Sequence, residues 1–60
     1  MEDNINSIET QFEIFVDNVS KFNEKGNASA GTRARKALLE ISKISKDLRK
    51  QIQEKKNSLK

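Results

Sequence analysis

Six apolar side chains in the first 24 residues, Ile5, Ile8, Phe12, Phe15, Val19 and Phe22, follow one another at spacings of three, four, three, four and three. At 3.6 residues per turn these positions fall on one stripe, so the segment is constrained to be an amphipathic helix with a heptad seam over about two and a half repeats. Val16 widens the stripe on one side, and the acids Glu9, Glu13, Asp17 and Glu24 gather on another face. Ile14 projects away from the stripe; a lone exposed apolar side chain and a second contact surface are both open readings for it. Asp3 or Asn4 is placed to cap the helix start. Lys25-Gly26 supplies a basic last turn followed by a glycine able to take the left-handed conformation.

Gly26-Asn27-Ala28-Ser29 reads as a tight connection, with Asn27 or Ser29 capping a second helix. Gly31 and Thr32 weaken its first turn. From Arg33 onward Ala34, Ala37, Leu38, Ile41, Ile44, Leu48 and Ile52 form a second apolar stripe with Ser45 inside it, and no proline or further glycine interrupts the chain. The expected product is an all-α, single-domain, antiparallel two-helix hairpin spanning residues 1–60. Helix one covers about 4–24, the junction 25–29 and helix two about 30–58. At 1.5 Å per residue the helices measure about 30 and 42 Å, so the second overhangs the first. The small Ala34 and Ala37 are expected to face the bulky Phe22 and Val19, which favours the antiparallel hairpin. Each helix has only one neighbour, so both stripes are covered only when two hairpins pair into a four-helix bundle. A coiled-coil dimer through the second helix is the alternative.

The chain has no Cys, His, Trp, Tyr or Pro. The usual zinc, haem and iron–sulfur ligand sets are therefore absent, as is the residue most often used for proton transfer near neutral pH. Glu9, Glu13 and Asp17, at spacing four, read as a solvated helical face. The segment Gly26–Thr32 has neither the lysine of a phosphate-binding loop nor a preceding strand, so Ser29 and Thr32 read as capping groups. No catalytic residue, cofactor, metal or small-molecule substrate is expected. The start Met1-Glu2-Asp3-Asn4 has no leader character, and no stretch approaches the about 20 apolar residues that cross a bilayer, so the expected location is the cytoplasm.

The charge is divided along the chain. Residues 1–24 hold six acids and one base, a net charge of −5, whereas residues 25–60 hold eleven bases and three acids, a net charge of +8. Within the basic half, Lys36, Glu40, Lys43, Asp47, Lys50 and Glu54 recur at spacings of four and three as a stripe of alternating sign whose members can pair along the helix. A different row, Arg35, Ser42, Lys46, Arg49, Gln53, Lys56 and Lys60, spans about 80° of the circumference and contains no acid. Such a row is an ordinary solvated face, a partner for the acidic face of helix one, or a phosphate-binding surface. Lys55, Lys56 and Lys60 should lie past the reach of the acidic segment, which favours the third reading. Cations spaced along a rod suit the phosphate ladder of DNA and need no base contacts. With all three phenylalanines expected in the core, a single-strand binder that stacks bases on aromatic side chains is disfavoured.

Glu24-Lys25-Gly26-Asn27 at the junction, Ala30, the Arg33-x-Arg35 pair, Lys43-Ile44-x-Lys46 and Arg49-Lys50 stand at matching spacings to those of a known pattern. In these residues the chain resembles the bacterial histone H1-like proteins best known from the chlamydial developmental cycle. The resemblance covers nearly the whole chain, with Glu24 to Lys50 carrying most of it. It implies DNA association and nucleoid compaction largely independent of sequence. Chlamydial members carry a long Lys- and Ala-rich tail after this module, and the expectation here is a short form of the module alone. The expected duplex-DNA contacts are Arg33 and Arg35 at the start of helix two with Lys46, Arg49, Lys56 and Lys60 along it. Arg33 points to the flank opposite the others. The rival expectation is a homodimerising or protein-interaction module with no direct DNA role, to whose interface Ile14 belongs.

Overall fold

Two residues make the reversal between the helices. In the computed structural model, which describes residues 1–59, α1 (Glu2–Lys25) and α2 (Ala28–Ser58) pack against each other across the junction Gly26-Asn27. Gly26 adopts φ 63° and ψ 27°, a left-handed conformation that costs a residue with a Cβ, and its N–H donates to the Phe22 carbonyl at 3.0 Å. Asn27 is extended, and its Oδ1 accepts from the Ala30 N–H at 3.2 Å, satisfying one of the free donors at the start of α2. One left-handed and one extended residue suffice for the turn, so α2 begins at Ala28, two residues before the position expected from sequence. Asn27 is the cap, and Ser29 lies inside the first turn.

The start of α1 also differs from expectation. Met1 occupies the cap position with no side-chain hydrogen bond, and Asp3 and Asn4 lie within the first turn. There the carboxylates of Glu2 and Asp3 still favour the helix by meeting the positive end of its dipole. The 31 residues of α2 against the 24 of α1 give the expected overhang, and the molecule extends 51 Å along its long axis.

The contact line is turned from the one the apolar spacing suggests. On α2 the buried residues are Ala30, Ala34 and Ala37, and on α1 the one buried residue is Asn18. The partly covered α1 residues Asn4, Ile8, Gln11, Phe15 and Val19 complete a line that shares Ile8, Phe15 and Val19 with the apolar ladder but passes through its polar side. The small α2 residues allow this approach. Phe22 lies across Gly31 so closely that a Cβ there would stand 2.8 Å from its ring, and Val19 and Phe15 follow along Ala34 and Leu38. The expected match of bulky α1 residues to small α2 residues holds, with Ala30 and Gly31 extending it.

The phenylalanines are not all core residues. Phe15 is partly covered, but Phe12 remains 57% and Phe22 46% exposed. Phe12 lies on the flank of the contact line, with Phe15 one helical turn away at 6.4 Å between ring centres. With Ile5 and Val16 on α1 and Leu38 and Ile52 on α2, it leaves one side of the hairpin apolar and open. Among the described residues no large side chain is fully buried.

Replacing Gly26 with Ala, which forces a Cβ into the left-handed region, and replacing Asn27 with Ala, which removes the cap, should each destabilise the fold by about 1 kcal/mol. In urea unfolding at fixed protein concentration, both midpoints should fall with unchanged slope.

Candidate nucleic-acid interface

Because the contact line on α2 runs through Ala30, Ala34, Ala37, Ile41, Ile44 and Leu48, residues at other helical phases are fixed relative to α1. Arg35, Lys46 and Arg49 lie about 100–160° around α2 from that line, on the outer side of the hairpin. All three are exposed, as is Lys56 in the overhang, and among the described residues none has a carboxylate within 4.0 Å. From Arg35 to Lys56 the row runs about 32 Å along the helix. Gln53, within the row, donates to Asn57 at 3.2 Å and so adds no charge of its own. Lys60 lies outside the described residues.

Arg33 is set apart. Its Nε donates to the Asn18 Oδ1 at 2.8 Å, and the Asn18 Nδ2 in turn donates to the Ile14 carbonyl at 2.8 Å. Asn18 is only 6% exposed, so both of its polar ends need these partners. Arg33 thus ties α2 to α1 on the side opposite the basic row, the flank expected from its phase. Ile14 is on that side too, bordering an open groove with Gln11, Arg33, Lys36 and Glu40, and is 38% exposed.

The other charges sort by helix. Of the alternating stripe, Lys43 and Glu40 come together at 3.7 Å, and on α1 Lys21 pairs with Asp17 at 3.1 Å. Both pairs are largely solvated, each contributing no more than about 0.5 kcal/mol. Among the described residues no ion pair joins α1 to α2, because the acids Glu9, Glu13, Asp17 and Glu24 face away from α2. The acidic face of α1 therefore does not neutralise the basic row within one hairpin. Among the described residues no group of carboxylates converges as a metal ion would require, and no helix is long and apolar enough to cross a membrane.

Two residues with a part in this surface escape the sequence reading. Asn18 is a polar residue one position before Val19, and the ladder that reveals it, Asn4, Ile8, Gln11, Phe15, Asn18, is the apolar ladder displaced by one residue at three of its rungs. Leu39 is 57% exposed on the outer side of α2, against Arg35, Lys36 and Thr32 in a shallow depression beside the basic row. It belongs to neither stripe, and its sequence signal is that isolation.

The described residues thus form a two-helix hairpin with an apolar side, an acidic outer face on α1 and an acid-free basic row on the longer α2. The family model for "Histone H1-like protein Hc1" matches residues 2–58, and the chain belongs to that family. No curated protein and no solved structure matches it.

Truncating Arg33 to Ala leaves the buried Asn18 oxygen unpaired and should cost about 1–2 kcal/mol, whereas Arg35→Ala and Arg49→Ala should change stability by less than about 0.5 kcal/mol. A double-mutant cycle of Arg33→Ala with Asn18→Ala in urea unfolding should show coupling of at least about 0.5 kcal/mol.

Proposed function

We propose that this chain binds duplex DNA without sequence preference and acts as a nucleoid-associated protein in the bacterial cytoplasm, with no enzymatic activity. Arg35, Lys46, Arg49, Lys56 and Lys60 contact phosphates. Arg33, engaged with Asn18, serves the hairpin first. The observation that carries the reading is the outward row of cations with no acid beside it. A row of about 32 Å is close to one turn of duplex, so the helix can follow phosphates over that length without reading bases. Membership of the histone H1-like family supports the same ligand.

If about five phosphates are contacted, log K for a duplex should fall with log salt at a slope near −4.5. Reversal of Lys46, Arg49 and Lys56 to Glu should weaken binding far more than reversal of Lys36, Lys43 and Lys50, which alternate with acids along their stripe. Fluorescence anisotropy at several salt concentrations measures both. Equal losses would place affinity in net charge alone, and no binding at low salt would remove the DNA reading.

The proposed working unit is a homodimer. Phe12, Val16, Phe22 and Leu38 are each about half exposed on one side of the hairpin, and a chain of this length buries too little to leave such a face in water. A second hairpin laid on that face gives a four-helix bundle. Changing Phe12 and Val16 to Ser should shift the sedimenting species to monomer at micromolar concentration; an unchanged dimer would direct attention to a coiled coil through α2. The same open face favours the rival reading of an association module without a DNA role, which predicts the dimer and no salt-dependent DNA binding.

A further inference from the structure

The acidic and basic faces of this hairpin are alike in shape and opposite in sign. Glu2, Glu9, Glu13, Asp17 and Glu24 lie within about 80° around α1, on the side turned away from α2, and no base shares that sector. All five are exposed. The row runs about 33 Å, against about 32 Å for Arg35 to Lys56. Lys21, paired with Asp17 at 3.1 Å, stands at the edge of the acidic row, and both partners are solvated enough for the pair to exchange.

The two rows are also in step. The Arg33–Asn18 hydrogen bond and the seating of Phe22 on Gly31 fix which levels of the antiparallel helices lie side by side. In that register Asp17 is level with Arg35, Glu9 is within one turn of Lys46, and Glu2 is level with Arg49 and Lys50. The rows cannot meet inside one hairpin because both face outward. They meet when copies stand side by side in one orientation, with α1 of each against α2 of the next.

We propose that the basic row of α2 has a second occupant, the acidic row of α1 on another copy of this chain, and that this side-by-side association competes with DNA for the same cations. The contact is heterologous, so each added copy leaves one acidic and one basic row open and the assembly grows as a ladder. It buries none of the exposed phenylalanines, although Arg49 and Lys56 border the apolar side near the phase of Leu38, and it is governed by screening rather than by burial. Charges at exposed faces lose their hold on one another as the Debye length falls from about 20 Å to below 8 Å, that is from about 20 mM to about 300 mM salt. The competition with DNA rests on the DNA-binding reading above; the self-association does not.

Sedimentation velocity of the full chain without nucleic acid tests it. Species larger than a dimer should form at about 20 mM salt and disappear at about 300 mM. The variant Glu9→Gln, Glu13→Gln, Asp17→Asn should lose at least tenfold in this association constant. The variant Glu40→Gln, Asp47→Asn, Glu54→Gln, which changes net charge equally but leaves both outer rows intact, should keep it within about twofold. At low salt the first variant should also bind duplex DNA more tightly than the second. Exchange of partners gives a positive control: Asp17→Arg and Arg35→Asp should each weaken the ladder, and the double variant should restore it. Absence of a salt-sensitive species, or equal loss in the two triple variants, overturns the inference. A ladder in a protein that binds no DNA removes the DNA reading while the self-association stands; DNA binding with no ladder removes the self-association alone.

Discussion

The Arg33–Asn18 hydrogen bond lies where α1 can lean on α2 by either of two heptad ladders. One is Ile5, Ile8, Phe12, Phe15, Val19 and Phe22; the other replaces Ile5, Phe12 and Val19 with Asn4, Gln11 and Asn18. Burying Phe12 instead of Gln11 would gain about 2 kcal/mol from apolar area alone. The hairpin takes the polar ladder instead. Ala30, Gly31, Ala34 and Ala37 bring the helix axes close, and an asparagine whose two ends are bonded to Arg33 and to the Ile14 carbonyl fits the narrow seam without an unpaired group. A bonded polar residue in a helical seam fixes rotation and register better than it adds stability. That rotation leaves Phe12, Val16 and Ile5 on an open side and turns the acids outward.

The position of the charges follows from the same rotation. Had α1 leaned on its apolar ladder, it would be turned by about 40–50°, and the acidic row would move toward one flank of the hairpin. With Asn18 in the seam, the acids stand nearly opposite α2, and the basic row stands on the outer flank of α2, about 80–160° from the contact line. The hairpin is therefore electrically two-sided, although its formal net charge is only +3. Separation of this kind keeps the cations available, because a pair closed within the hairpin would have to be broken before a phosphate could take its place.

The helices, their antiparallel pairing and the overhang of α2 are legible in the sequence because each depends on local signals: heptad spacing, a left-handed glycine, an asparagine cap and an uninterrupted run after Arg33. The basic row is legible for the same reason, since phase around one helix is fixed by residue number. What is not legible is the rotation between the helices. It is decided by contact of Asn18 with a residue 15 positions away, and by how closely a phenylalanine can lie on Gly31. The apolar spacing points to the other of two ladders that share Ile8, Phe15 and Phe22, and so places Phe12 and Phe22 in a core that one hairpin does not have. Arg33 shows the converse. Its phase placed it on the far flank, but only the fold shows that it is bound there.

On the proposed DNA-binding reading, the density of charge on protein and DNA ties binding to the proposed dimer. Duplex DNA carries one phosphate per about 1.7 Å of axis, so a length of about 32 Å holds about 19 around its circumference, against four described cations in one row and, on the proposed reading, Lys60. On that reading one row would offset about a quarter of the duplex charge over its length, which is the weak, salt-sensitive range of nonspecific contacts. Two rows held on one dimer turn the second contact into an intramolecular event and raise the apparent affinity without any new kind of contact, provided both can reach DNA. On the proposed reading the open apolar side and the acid-free row serve one purpose: the exposed phenylalanines pair two hairpins, and the pairing makes a weak row of cations an effective one.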